Sequence, residues 1–457
     1  MSSKSRARRL SPTDMIFLLS ESSTVKIHVG ALLILTPTED SPAQWIRELL
    51  DAANHGKKLC PPWNLKLAHP DFLKHPAQSW VKDDHIDLGH HIRRVAVSAP
   101  GDTNALNTTV SRLHTRPVNF HRPPWEVVLL DGLADGRVAI YAKMHHALID
   151  GFTGSKILTQ SLSTDPNKVD APLFLFQPTS SFNAPPQHNL WETANTQLRA
   201  APRAVGALRN LWKSATQEHS ETSAPPRAPK SILNGRIGKN RNFSTQQFSF
   251  SRIKALATAA DATVNDIVLA ICAGALRQFL QEMGQLPDEP LVAMVPVNIR
   301  PQGDPGGGNS LGAMLTSLAT DIPDPAGRLH EIKRAMNQGK ERLKKLPQAA
   351  MLQYSAVRLI PTGLQHFGGV GGWVRPQFNI IISNVPGSSQ QLYFRGARLD
   401  AAYPVSLPFH GQALNISCKS SADGLNFGIT ACRDTFPNLE RLADAMQTAF
   451  DELDALF

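Results

Sequence analysis

Cysteine is scarce in this chain: Cys60, Cys272, Cys418 and Cys432 are the four in 457 residues, far apart and without a CxxC pair. Such spacing suggests a reducing compartment and no thiolate zinc site. Long apolar runs are also missing. The run Met15 to Leu19 behind the basic start MSSKSRARRL is too short for a signal peptide, and no stretch approaches a membrane span. A cytoplasmic protein is expected. Aromatic residues are few and not interleaved with the charges, and no helix-turn-helix, RNP or zinc-finger pattern occurs. Nucleic acid is therefore not expected as a partner, despite a formal net charge of +9. The glycine-rich GDPGGGNSLG, from Gly303 to Gly312, lacks the GKS/T ending of a P-loop, and GxSxG is absent.

What is present concentrates in RVAIYAKMHHALIDG, Arg137 to Gly151. Alternation sets Val138, Ile140, Ala142, Met144 and His146 on one strand face and Ala139, Tyr141, Lys143 and His145 on the other. The two histidines then point in opposite directions at the strand's end. Asp150-Gly151 reads as a turn in which glycine takes a conformation closed to other residues. An apolar-periodic stretch from Phe152 to Leu162 predicts a helix. A neutral imidazole takes a proton from an alcohol or amine and returns it to a leaving group near neutral pH. His146 fits that role, His145 fits packing and hydrogen bonding, and Asp150 fits bracing of the turn or of the His146 ring. Adjacent histidines on opposite faces do not easily share an ion, and no further His/Cys set has ligand spacing, so no metal is expected.

Other segments extend the pattern: LSPTDMIFLL, HVGALLIL, RPPWEVVLLDGL, VNDIVLAICAGALRQFL, VPVNIRP, GNSLG and ISNVPG. With HHxxxDG, these resemble the bacterial wax ester synthase/diacylglycerol acyltransferase family of the CoA-dependent acyltransferase superfamily, from Leu10 to about Phe450. Pro124 departs from the leucine of the family's PLW motif, while Trp125 and Glu126 keep it. The resemblance implies a mixed α/β (α+β) fold of two chloramphenicol-acetyltransferase-like domains, each a mixed sheet flanked by helices, with the active site in a channel between them. It implies His146, His145, Asp150 and Gly151 as catalytic residues. It also implies acyl-CoA as a substrate, with no cofactor, and a long-chain alcohol or diacylglycerol as acceptor. HHxxxDG enzymes with another alcohol or amine acceptor, and a non-catalytic lipid-droplet-binding protein, are the alternatives.

Two further segments supply candidates for binding substrate or an oxyanion, beside Trp125. Thr263 stands three positions before Asp266 at a predicted helix from Asn265 to about Met283, a capping-box spacing that makes Asp266 a cap. Asn265 sits at the helix entrance, where the N-terminus presents positive potential, and the family's ND motif implies a role in activity. In FNIIISNVPG an apolar strand from Phe378 to Ile382 leads to Ser383 and Asn384 at its exit, either of which meets the oxyanion or simply forms the turn.

At 457 residues, two domains are expected, and the Pro-rich runs Pro172 to Pro186 and Ala224 to Pro229 mark the boundary. The division is 1–175, a linker 176–235, and 236–457. Within the linker, Trp191, Ala194, Leu198, Ala201, Val205, Leu208 and Trp212 recur at steps of three and four, with Pro202 splitting the helix. Arg199, Arg203, Arg209 and Lys213 lie off that stripe. The helix either rests on an anionic membrane or lipid droplet or connects the domains.

Overall fold

The computed structural model describes residues 8–10, 12–38, 41–55, 58–71, 75, 78–149, 151–170, 173–176, 228–298, 311–344, 372–373 and 375–457. Asp150, the linker stripe from Trp191 to Trp212 and most of the glycine-rich loop lie outside the described residues.

The fold is mixed α/β. A small sheet joins β1 (Arg8–Arg9), β3 (Leu65–Leu67) and β4 (Ser79–Lys82). A first six-stranded sheet contains β2 (His28–Thr36), β5 (Ile92–Ala96), β6 (Trp125–Asp131), β7 (Val138–His145), β12 (Tyr393–Phe394) and β13 (Ala397–Val405), in the order β12-β13-β2-β7-β6-β5. A second contains β8 (Arg241–Ser249), β9 (Val292–Asn298), β10 (Leu311–Ser317), β11 (Ile380–Val385), β14 (Leu414–Ser420) and β15 (Gly424–Cys432), in the order β10-β9-β11-β14-β15-β8. The first sheet thus takes two strands from the C-terminal part of the chain.

Strand β7 lies between β2 and β6 and is buried at every position. Its alternation therefore separates two covered faces. On one face Ala139 and Tyr141 pack with Leu32, Ile34, Val128 and Leu130 beneath Leu106, Val110 and Leu113 of the Thr103–Thr115 helix. Asp102 starts that helix by accepting the Ala105 amide at 2.8 Å. Asn107, Ser111 and Thr115, four residues apart, form a polar stripe on it. Thr115 Oγ1 accepts the Arg241 amide and Ser111 Oγ accepts the Phe243 amide, both at 2.9 Å, while Thr245 Oγ1 donates to Asn107 Oδ1 at 3.3 Å. Edge strand β8 would otherwise present unpaired donors, and this stripe satisfies them while fastening the two sheets together.

The second sheet packs under the helices Val264–Glu282, Pro325–Lys344 and Glu440–Asp454. Val264–Glu282 is buried continuously from Asp266 to Leu276, as a helix enclosed on all sides requires. Gly274 lets Glu440–Asp454 approach, since a Cβ there would lie 2.9 Å from that of Ala449. The sheets meet where β13 crosses β15: a Cβ on Gly428 would fall 1.8 Å from the Pro404 carbonyl oxygen. Among the described residues no single helix is long and apolar enough to cross a membrane. Only the bent pair Phe250–Ala259 and Val264–Glu282 passes by length and composition, at 99° to each other.

Candidate active site

Strand β7 ends at His145 and the chain turns back, with the Leu148 and Ile149 amides donating to the His145 carbonyl at 2.9 and 3.2 Å. Flanking chain clamps this turn. The His145 amide donates to the Pro124 carbonyl and the His146 amide to the Ile27 carbonyl, each at 2.9 Å. The two side chains have different surroundings. His145 is fully buried: Nδ1 accepts the Ala147 amide at 3.1 Å, Phe120 packs edge-on at 5.1 Å, and Nε2 faces Glu21 Oε2 at 3.4 Å. His146 is half-buried, its ring centroid 4.3 Å from that of Phe17 on the Pro12–Ser20 helix. Of the pair, only His146 keeps some solvent exposure.

Beneath them lies a polar cluster that residue-by-residue reading missed. Tyr141, Lys143 and His145 share a face of β7, and His28 stands opposite His145 in β2. His28 Nε2 bonds to the His114 carbonyl, and His114 Nδ1 to the Tyr141 hydroxyl, both at 2.8 Å. His114 Nε2 reaches the Ser406 carbonyl at 2.8 Å. Lys143 Nζ donates to the Leu113 and Arg116 carbonyls at 3.0 and 2.9 Å and lies 3.7 Å from Glu126 Oε2, to which Arg93 donates at 2.5 Å. Burial disfavours charge here. It holds His28 well below the usual imidazole range, His114 at about 3 and Lys143 at about 8, and it pushes Tyr141 well up. The signal was available in principle, because HVGALLIL carries His28 at a strand start, but which helix covers that face is not local information.

Gly151 corrects one expectation. It is the first residue of the Gly151–Gln160 helix, with φ outside the left-handed range, and a Cβ there would meet nothing within 4 Å. The helix begins one residue earlier than predicted, so Gly151 takes an ordinary helical backbone and leaves open space. One turn on, Ser155 Oγ accepts from Lys419 Nζ of β14 at 2.6 Å, bringing a burial-depressed lysine of the second sheet to the motif's helix.

Trp125 is also corrected. It is 1% exposed, donates Nε1–H to the Trp63 carbonyl at 2.7 Å and stacks on His91 at 4.4 Å. Its only donor is used, so it organises the core behind the turn and cannot serve an oxyanion. Asp266 is the cap its spacing predicts: the Thr263 amide and hydroxyl donate to Asp266 Oδ2 at 2.9 and 2.7 Å, and the Asp266 amide donates back at 3.2 Å. Asn265 is half-buried in the first turn of Val264–Glu282. Ser383 and Asn384 lie inside β11, not past its end, because parallel pairing with β14 continues through Val385 opposite Lys419. Alternation then divides them. Ser383 shares a face with Ser417 and Lys419, which contact Ser406 and Ser155, whereas Asn384 shares the helix-covered face with Ile382 and Cys418.

Burial pushes the Cys272 and Cys418 thiols up, away from nucleophile character. Among the described residues, no group of three His, Cys, Asp or Glu side chains is placed to hold a metal ion.

Against known proteins, the wax ester synthase/diacylglycerol acyltransferase catalytic domain matches residues 10–268, and the WS/DGAT C-terminal domain matches residues 307–454. A protein of Mycobacterium tuberculosis named as a diacylglycerol O-acyltransferase is 42% identical, over 98% of this chain and 97% of its own. The O-acyltransferase WSD of Acinetobacter baylyi is 34% identical, over 95% of this chain and 94% of its own. Among solved structures, the wax ester synthase/diacylglycerol acyltransferase from Marinobacter aquaeolei VT8 superposes with a TM-score of 0.79 at 32% identity, covering 98% of this chain and 99% of that one. The first condensation domain of the calcium-dependent antibiotic synthetase has a TM-score of 0.59 at 15% identity over 99% of this chain and 97% of its own, a likeness of fold alone.

Proposed function

Since the chain belongs to the wax ester synthase/diacylglycerol acyltransferase family, we propose that it moves a long-chain acyl group from acyl-CoA to the hydroxyl of a fatty alcohol or diacylglycerol, with His146 as general base. One observation carries the assignment: of two adjacent histidines, His145 is fully enclosed, its Nδ1 accepting the Ala147 amide and its Nε2 turned 3.4 Å from Glu21, while His146 is half-buried just past the end of β7. His146 takes the acceptor's hydroxyl proton as the oxygen attacks the thioester carbonyl. The resulting tetrahedral oxyanion collapses, the C–S bond breaks, and CoA leaves as thiolate to receive the proton held on His146. Atoms balance without a cofactor or an acyl-enzyme. Ser383, on the face that meets the motif's helix, is the better placed of the two strand candidates for the oxyanion, and Asn265 shapes the site from the helix entrance. Asp150 braces the turn.

The protein is proposed to work in the cytoplasm and to meet its water-insoluble acceptors by peripheral contact with a membrane or lipid droplet. The apolar Trp191 to Trp212 stripe, with Arg199, Arg203, Arg209 and Lys213 lying off it, is the sequence feature that favours this. Palmitoyl-CoA offered with hexadecanol and diacylglycerol together, with products identified by mass spectrometry, tests the reaction and ranks the acceptors. His146→Ala should lose roughly 10²- to 10⁴-fold in turnover while still binding acyl-CoA. Wild-type turnover in folded His146→Ala would remove the general base from the mechanism.

A further inference from the structure

We propose that Glu21 is the positioning residue of this site, one carboxylate oxygen holding both arms of backbone that fix His146. The proposal rests on His146 being the base. Glu21 follows the Pro12–Ser20 helix, and its side chain is only 9% exposed. Its Oε2 accepts the Ile27 amide at 2.6 Å, and the Ile27 carbonyl in turn accepts the His146 amide at 2.9 Å. That is the first arm. The same Oε2 lies 3.4 Å from His145 Nε2, and His145 Nδ1 accepts the Ala147 amide at 3.1 Å. The second arm, joined to Glu21 by a close charge contact outside hydrogen-bond geometry, bears on the residue after His146 as the first bears on His146 itself.

The chemistry requires an acid at this point. A neutral imidazole that accepts at Nδ1 carries its proton on Nε2. The other tautomer would oppose two N–H groups at Ala147 and turn an Nε2 lone pair toward a carboxylate. Glu21 thus selects the ring form that clamps the turn, as an outer carboxylate fixes the ring of a metal-bound histidine. The cations that feel its charge are Lys26, bonded to the Ser22 carbonyl at 2.9 Å, and Arg241, which holds the Thr24 carbonyl, so the loop from Ser22 to Ile27 is tied around the acid. Glu21 touches no substrate in this scheme, and it acts through His145 and Ile27.

Glu21→Gln keeps shape and an acceptor oxygen but removes the charge, and Glu21→Ala removes both. Turnover of palmitoyl-CoA with hexadecanol should fall about 10- to 100-fold in Glu21→Gln, the scale set by small misplacement of a catalytic group, with KM for acyl-CoA changed by less than about twofold. Spectra of ¹⁵N-histidine-labelled protein should show His145 as the Nε2–H tautomer in wild type and a mixture in Glu21→Gln. In the double variant Glu21→Gln/His145→Asn, the acid should add little to the loss from His145→Asn alone, because coupled residues are not additive. An Nδ1–H tautomer in wild type, Glu21→Gln turnover within about twofold of wild type, or full additivity would each overturn the proposal. An active His146→Ala would instead overturn the base assignment and leave the tautomer result to judge Glu21.

Discussion

Replacing Lys143 with methionine tests the buried polar cluster under the turn from His145 to Ile149. The Lys143 side chain has no exposure, and burial lowers its pKa from 10.5 to about 8. The ammonium therefore carries a folded-state penalty of about 3 kcal/mol, from roughly 1.4 kcal/mol per pKa unit. The sign follows from proton counts. Between about pH 8 and 10.5 the unfolded chain binds more protons at this site than the folded one, so Lys143 makes wild-type stability rise with pH across that window. Below it the full penalty persists. Methionine removes the penalty at similar volume but deprives the Arg116 carbonyl of its lysine donor, while Leu113 keeps the Arg116 amide at 3.3 Å. Leaving that part-buried acceptor without its donor costs no more than about 1–3 kcal/mol, so at pH 7 the two proteins should agree within about 3 kcal/mol. At pH 10.5 wild type should have gained about 3 kcal/mol on Lys143→Met. Urea midpoints followed by tryptophan fluorescence at pH 7, 8.5 and 10.5, with equal m-values as a control, measure this difference. A gap that stays constant with pH would refute the reasoning.

Gly151→Ala should leave stability unchanged or raise it by about 0.5 kcal/mol, because the backbone there is helical and unobstructed. Its turnover should nevertheless fall if the open space admits substrate, and equal turnover would detach Gly151 from the site. Gly428→Ala should cost upwards of about 3 kcal/mol, read as lost soluble yield or a much lower melting temperature, because its Cβ would meet the Pro404 carbonyl oxygen at 1.8 Å. Stability should also fall as pH drops from 6.5 toward 4: His28, His114 and His91 are held neutral below their ordinary range by burial, His114 at about 3 and His91 at about 4. The unfolded chain therefore takes up more protons there, and His114→Gln should show a shallower loss of urea midpoint between pH 7 and pH 5.

Local pattern was enough to read several parts of this protein. The period of two in RVAIYAKMHH predicted β7, which ends one residue sooner than read, at His145, with His146 already in the turn, and Thr263 with Asp266 predicted a helix start that is there, because cap and strand periodicity act within a few residues. Whole-chain motif similarity supplied the family and the two-sheet α/β plan. Other features depend on which distant segments touch. Alternation in β7 could not tell that both of its faces are covered, since that depends on the helix above and the strands beside it. Trp125 reads as a motif residue, yet its indole is spent on the Trp63 carbonyl, 62 positions away in sequence. The stripe Asn107, Ser111 and Thr115 looks like an ordinary polar helix face until edge strand β8 arrives with donors to satisfy. Glu21, Lys419 and the two buried histidines His28 and His114 acquire their positions in the same way. Backbone propensity and hydrophobic period are short-range and survive in a linear string. Burial, and with it the charge state and partner of every polar side chain around His146, is created only when β2, β7, β14 and the Thr103–Thr115 helix close on one another.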